Sequence, residues 1–173
     1  MFLETRRLIL RRFREDDFED FCGFAMDAEL SRMMGRETLH TREEAWAAFR
    51  RIRERQMRGY ALVLKETGRV IGELTVTQAP RLDGGRILAG KQGRALTFSL
   101  SRHHRRQGLM EEAVRGVLRA LYAEGMDFVL CGSFDFNAPS IALQKKLGFE
   151  YLTTERMDLD GEPRTAIWRI AWK

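Results

Sequence analysis

The sequence is poor in what several familiar chemistries require. It holds two cysteines, Cys22 and Cys131, in segments of different kinds. That leaves at most a single bridge between them, and the pair reads better as two buried thiols of a cytoplasmic protein. The three histidines, His40, His103 and His104, come without zinc or calcium ligand spacing, so no metal site is expected. No apolar run approaches the roughly 18 residues of a membrane span. The opening "MFLETRRLILRRF" is too charged for a signal peptide. Neither GxxxxGK(S/T) nor GxGxxG occurs, which excludes a P-loop and a dinucleotide fingerprint, and no local Ser-His-Asp signature is present. Repeats, low-complexity tracts and linkers are missing too, so residues 1–173 are expected to form one domain.

What is present is an ordinary globular composition with a basic balance: 44% hydrophobic residues and a formal charge of +5 over 173 residues. A basic excess attracts polyanions, either nucleic acid or a phosphorylated cofactor. The dense cluster at 102–106 suits a local anion site better than an extended nucleic-acid track. A nucleic-acid-binding protein therefore ranks behind the other readings.

Periodicity divides the chain into alternating elements. "RLILRRF" (7–13) reads as a strand, and "REDDFEDFCGFAMD" as a helix with acidic residues at its front. A second helix opens at Thr41, where Glu44 completes a capping box, and Gly59 is its expected stop. Trp46, Phe49 and Ile52 share one face of it, read as core. "YALVLKETGRVIGELTVTQ" is a hairpin, 79–94 a Gly- and Arg-rich loop, and "ALTFSLS" a period-two strand. Met110, Ala113, Val114, Val117, Leu118 and Leu121 form the apolar stripe of a long helix. "DFVLCGS" reads as a strand covered on both faces, "NAPSIALQKKLGF" as a helix capped by Asn137 and ended by Gly148, and the C-terminus as a hairpin around "DLDGEP". The order is β-α-α-β-β-β-α-β-α-β-β, an α/β (α+β) chain in which one strand–helix–strand unit requires a parallel pair.

The stretch "RRQGLMEEAV" sets cations and a glycine at a helix start, where the backbone dipole is already positive. An anion resolves this: first-turn amides face outward, Gly108 permits close approach, and Arg105 and Arg106 add ion pairs. His103 and His104 adjoin the loop, and Lys145 and Lys146 read as a solvated helix face.

The loop resembles the acyl-CoA diphosphate loop of the GNAT N-acetyltransferases, (Q/R)-x-x-G-x-(G/A), here Arg105, Arg106, Gln107, Gly108, Leu109 and Met110. Met110 departs from the small residue of that pattern. "ETRRLILRRFREDDFEDF", "TREEAWAAF", "GRVIGEL", "GLMEEAV" and "NAPSIALQKKLGF" follow in the order of the RimJ/RimL-like branch, which acetylates ribosomal-protein N-termini and other amines. Nearly the whole chain is covered, and 79–94 matches least.

The resemblance implies a GNAT-like fold: one mixed, mostly antiparallel sheet of about seven strands with a central parallel pair splayed for CoA, flanked by about four helices. It implies acetyl-CoA as co-substrate, no metal, and direct attack by a primary amine of a peptide N-terminus, a polyamine or another small amine. Phe98 and Leu100 would supply backbone contacts to the pantetheine arm, and Asn137 and Ser140 match the family's Asn-x-x-Ser beside the sulfur. Gln144 stands where many relatives carry a Tyr general acid, so Ser140 becomes the candidate for stabilising the thiolate. Glu73 is the candidate general base, and Glu112 matches a structural helix glutamate. The 79–94 segment either edges the acceptor groove or supports a homodimer. A non-catalytic acyl-CoA-binding or sensing domain is the alternative from another class.

Overall fold

The computed structural model describes residues 2–54, 58–82, 88–159 and 161–173. Along them run β1 (Leu3–Glu4), β2 (Leu8–Arg11), α1 (Phe18–Ala25), α2 (Ala28–Met34), α3 (Arg42–Glu54), β3 (Arg58–Leu64) and β4 (Val70–Gln78). Then follow β5 (Gly93–Leu100), α4 (Leu109–Ala123), β6 (Phe128–Phe134), α5 (Ala138–Lys146), β7 (Glu150–Leu159) and β8 (Glu162–Trp172). The strands are ordered β1-β2-β3-β4-β5-β6-β8-β7 in one mixed sheet. Gly93–Leu96 pair in parallel with Phe128–Cys131. The other strand pairs with a resolved register are antiparallel.

This is the expected architecture with one strand and one helix more. Short β1 and seven-residue α2 are the additions. Asp27 caps α2 by accepting the Leu30 amide at 3.1 Å, and Gly35 ends it in the left-handed region. Two boundaries are corrected. Gly59 lies within β3 rather than stopping a helix, because the strand it joins pairs it with Thr75 of β4 and this tertiary pairing overrides the local signal. Gly93 and Arg94, assigned to the 79–94 loop, open β5 instead, and Gly93 sits beneath the Phe128 ring, where a Cβ would come within 2.2 Å. Residues 83–87 of that loop and Asp160 of the closing turn lie outside the described residues.

The chain divides into two compact units, Met1–Val76 with Phe98–Val117, and Thr77–Thr97 with Leu118–Lys173. The first is organised by aromatic rings. Phe21 and Phe24 of α1, Phe49 of α3 and Phe13 bury themselves with Ala61 and Val63 of β3. Phe13 meets Phe21 edge-to-face at 6.0 Å, and Phe21 lies 5.2 Å from Phe49. Trp46, Ile52 and Met34 pack on the same cluster, so these three are core residues. The capping box forms as expected, with the Glu44 amide donating to Thr41 Oγ1 at 3.2 Å. In the second unit Leu82, Ala95, Phe128, Leu130 and Ile170 form a smaller core, with Leu88 and Trp168 packed on it. Every residue of the α4 stripe is buried.

In the first unit β4 and β5 approach too closely at Gly72 for any side chain. A Cβ there would lie 2.3 Å from the Ser99 carbonyl oxygen and 3.0 Å from the Leu100 Cα. Both obstacles are backbone and cannot rotate away. Gly72→Ala is therefore expected at or beyond the upper end of overpacking costs, about 3 kcal/mol. A urea-denaturation midpoint unchanged from wild type would contradict this contact.

Candidate functional site

The basic loop begins where β5 ends. Residues 102–104 form a short 3-10 turn, Arg105 is extended, and the chain then passes through two left-handed conformations, Arg106 at φ 61° and Gly108 at φ 72°, before α4 starts at Leu109. Glycine adopts such angles freely. Arginine does so at a cost of order 1 kcal/mol, met by the surrounding structure. Gly108 is the first acceptor of the helix, taking the Glu112 amide at 3.1 Å. The amides of the following turn thus have no acceptor within the helix. Met110, the departure from the family pattern, is buried with the α4 stripe.

Arg105 is anchored at two points. Its Nε donates to the Leu100 carbonyl at 3.2 Å, and Nη1 lies 3.8 Å from Glu29. Its Nη2 is buried with no hydrogen-bond partner among the described residues, as is Nδ1 of His104. A buried guanidinium nitrogen lacking an acceptor at a helix N-terminus is what a bound anion satisfies. Gln107 turns its side chain back to the His103 carbonyl at 3.2 Å.

Behind the loop stands a buttress that the sequence reading did not anticipate beyond its glutamate. Glu112 Oε1 accepts the Thr5 hydroxyl at 2.6 Å and the Arg7 amide at 2.7 Å, while Oε2 accepts Arg7 Nε at 2.7 Å. Burial works against the charge on Glu112, but the Thr5 hydroxyl, the Arg7 amide and the Arg7 guanidinium outweigh it and draw its pKa from 4.5 down to about 2. The folded value lies below the unfolded one, so the lock contributes fully above pH 4.5 and is lost as pH falls toward 2. A shift of this size corresponds to about 3 kcal/mol. Glu112→Gln is expected to lower the melting temperature at pH 7 by roughly 6–10 °C. The variant and wild type should converge as pH approaches 2. Thermal scans across that range check this; parallel curves would show that the lock contributes nothing.

Glu73, on β4, is 6% exposed. Its Oε1 accepts Arg36 Nη1 at 2.9 Å and the Ser99 hydroxyl at 3.2 Å. Arg36 follows Gly35, the left-handed end of α2, which directs the chain there. Arg36 Nη2 is buried without a hydrogen-bond partner among the described residues. The structure thus joins Glu73 to β5 through Ser99, on the strand face read as polar. Ser99 there meets a carboxylate instead of water, while Thr97 of the same face is exposed. Phe98 is half-buried, and Leu100 is buried with its carbonyl taken by Arg105.

In the second unit Asn137 caps α5, its Oδ1 accepting the Ser140 amide at 3.2 Å. Ser140 is half-buried, and its Oγ accepts Gln144 Nε2 at 3.0 Å. Gln144 is fully buried, and its Oε1 has no hydrogen-bond partner among the described residues.

A family model described as an acetyltransferase (GNAT) domain matches residues 7–150. The chain belongs to the GNAT acetyltransferase family. No curated protein matches it in sequence. Solved structures share the GNAT fold at low identity. A GNAT-family acetyltransferase from Bacillus anthracis is 15% identical with a TM-score of 0.85, covering 99% of this chain and 98% of that one. An acetyltransferase from Agrobacterium tumefaciens is 19% identical with a TM-score of 0.72, covering 100% and 95%. A ribosomal-protein-S5-alanine acetyltransferase from Vibrio fischeri is 13% identical with a TM-score of 0.71, covering 99% and 96%.

The remaining candidates of this GNAT chain fall outside the loop. Lys145 and Lys146 are exposed on α5. Cys22 and Cys131 are free and buried. Burial pushes the Cys131 thiol up to about 12, which makes it an inert core group. Among the described residues no cluster of three His, Cys, Asp or Glu is arranged to hold a metal, and no helix is long and apolar enough to cross a membrane.

Proposed function

We propose that the chain transfers an acetyl group from acetyl-CoA to a primary amine, in the manner of the RimJ/RimL-like branch, by direct attack within a ternary complex. The observation that carries the reading is the loop 105–110. Two left-handed residues and an unpartnered Arg105 nitrogen stand at the N-terminus of α4, the end of a helix that attracts an anion, and a diphosphate supplies the acceptors. Acetyl-CoA contributes an activated acyl carbon and a thiolate leaving group. Amides of the loop hold the diphosphate, and the backbone of Phe98 and Leu100 holds the pantetheine arm. The amine nitrogen forms the new bond to the acyl carbon, and the carbon–sulfur bond breaks. Glu73 takes the proton lost by the amine, and Ser140 donates toward the departing sulfur.

Protein N-termini and small amines such as polyamines are the acceptor class. The V. fischeri protein, named for ribosomal protein S5, shares the fold and supports testing ribosomal-protein N-termini first. Two free, buried thiols agree with a cytoplasmic location. The test is release of free CoA from acetyl-CoA over a panel of peptides, polyamines and small amines. Turnover with at least one amine is expected. CoA binding without turnover on any of them would favour a sensing domain. No response to millimolar CoA would remove the loop's assignment.

A further inference from the structure

We propose that Arg7 is a positioning residue for the diphosphate loop, setting CoA affinity through the orientation of the peptide between Gln107 and Gly108. This rests on the reading of the loop given above and deepens it. Arg7 spends its guanidinium on two groups at once. Nε donates to Glu112 Oε2 at 2.7 Å, and Nη1 donates to the Gln107 carbonyl at 2.9 Å. Its Nη2 lies beside Gly108, where an added Cβ would be 3.5 Å away.

A trans peptide is planar, and its C=O and N–H point in opposite directions. Holding the Gln107 carbonyl toward Arg7 therefore turns the Gly108 N–H away from Arg7. Gln107 and Gly108 are both exposed, so that outward side is the one a ligand reaches. Gly108, which follows this peptide, is left-handed at φ 72°, a conformation glycine adopts freely. Without Arg7 the carbonyl could turn outward and present an acceptor where the diphosphate needs donors. Glu112, aligned by Thr5, fixes Arg7 from below and keeps its fork aimed at the loop. Arg7 touches no ligand in this account; it acts through Gln107 and Gly108.

The test compares CoA with pantetheine, which lacks the diphosphate, by calorimetric titration and competition. The wild type should bind CoA more tightly than pantetheine. In Arg7→Met the CoA dissociation constant should rise about tenfold, the loss expected of one charge-assisted hydrogen bond. Pantetheine affinity and kcat at saturating acetyl-CoA should remain within a factor of two. Arg7→Lys, which reaches one of the two groups but not both, should show an intermediate loss and keeps the test decisive should Arg7→Met fail to fold. Equal losses for both ligands, or none for CoA, would overturn the inference. A wild type that does not prefer CoA would instead overturn the diphosphate reading of the loop.

Discussion

Ser140→Ala should lower kcat by about 100-fold while moving the KM for acetyl-CoA by less than about threefold, the pattern of a group that acts on charge developing in the transition state. The hydrogen bonding around Ser140 explains the asymmetry. A serine hydroxyl both donates and accepts, and its hydrogen rotates to suit its neighbours. Here the oxygen already accepts Gln144 Nε2 at 3.0 Å, so the O–H hydrogen is directed away from the amide. In the proposed mechanism that hydrogen is the group offered to the departing sulfur. The Ser140 amide, bonded to Asn137 at 3.2 Å, is part of the helix cap and survives truncation of the side chain. A donor whose thiol is more acidic leaves more readily, so the penalty should shrink for such thioesters. Unchanged turnover would remove Ser140 from the chemistry, and a rise in KM alone would make it a binding residue.

Much of this was readable before any coordinates, for identifiable reasons. The α4 stripe repeats at helical spacing over the twelve residues 110–121, and all six of its members are buried. The loop announced itself through a local anomaly, cations and glycine at a helix start, and its special conformations fall on Arg106 and Gly108. The Asn137 cap is likewise a short-range signal. What escaped the sequence was either short or distant. The α2 helix spans seven residues, too few for periodicity, although Asp27 and Gly35 mark both ends. Ser99 sits where alternation predicts a polar outward face, but a carboxylate from the neighbouring strand covers it. Arg36 meets Glu73 across 37 residues, and Thr5 meets Glu112 across 107. No spacing rule encodes such pairs. Thr5 and Arg7 did lie within the stretch "ETRRL" that carried the family resemblance, which with Glu112 is the trace the buttress leaves in the sequence.

Glu73→Gln is expected to reduce kcat/KM by about 100- to 1000-fold, within the range of lost general-base catalysis. The number alone would not identify the cause, because Glu73 also neutralises Arg36 at 2.9 Å and receives Ser99 at 3.2 Å. Removing one partner of a mostly buried ion pair strands the other and can disturb a site without touching its chemistry. Arg36 is the more exposed partner, at 35% of its side chain against 8% for Glu73, which softens that cost. Two measurements separate the roles. The acceptor amine must lose a proton during the reaction, and at high pH more of it is already neutral. A missing base is then less costly, so the deficit of Glu73→Gln should narrow as pH rises toward the pKa of the amine. A misplaced Arg36 gives no such narrowing. The second measurement is the double variant Glu73→Gln with Arg36→Met. If the loss comes from a stranded guanidinium, removing it recovers activity; if it comes from an absent base, the double variant is no better than the single one. A pH-independent deficit rescued by Arg36→Met would reassign Glu73 from proton acceptor to anchor of the loop that follows α2.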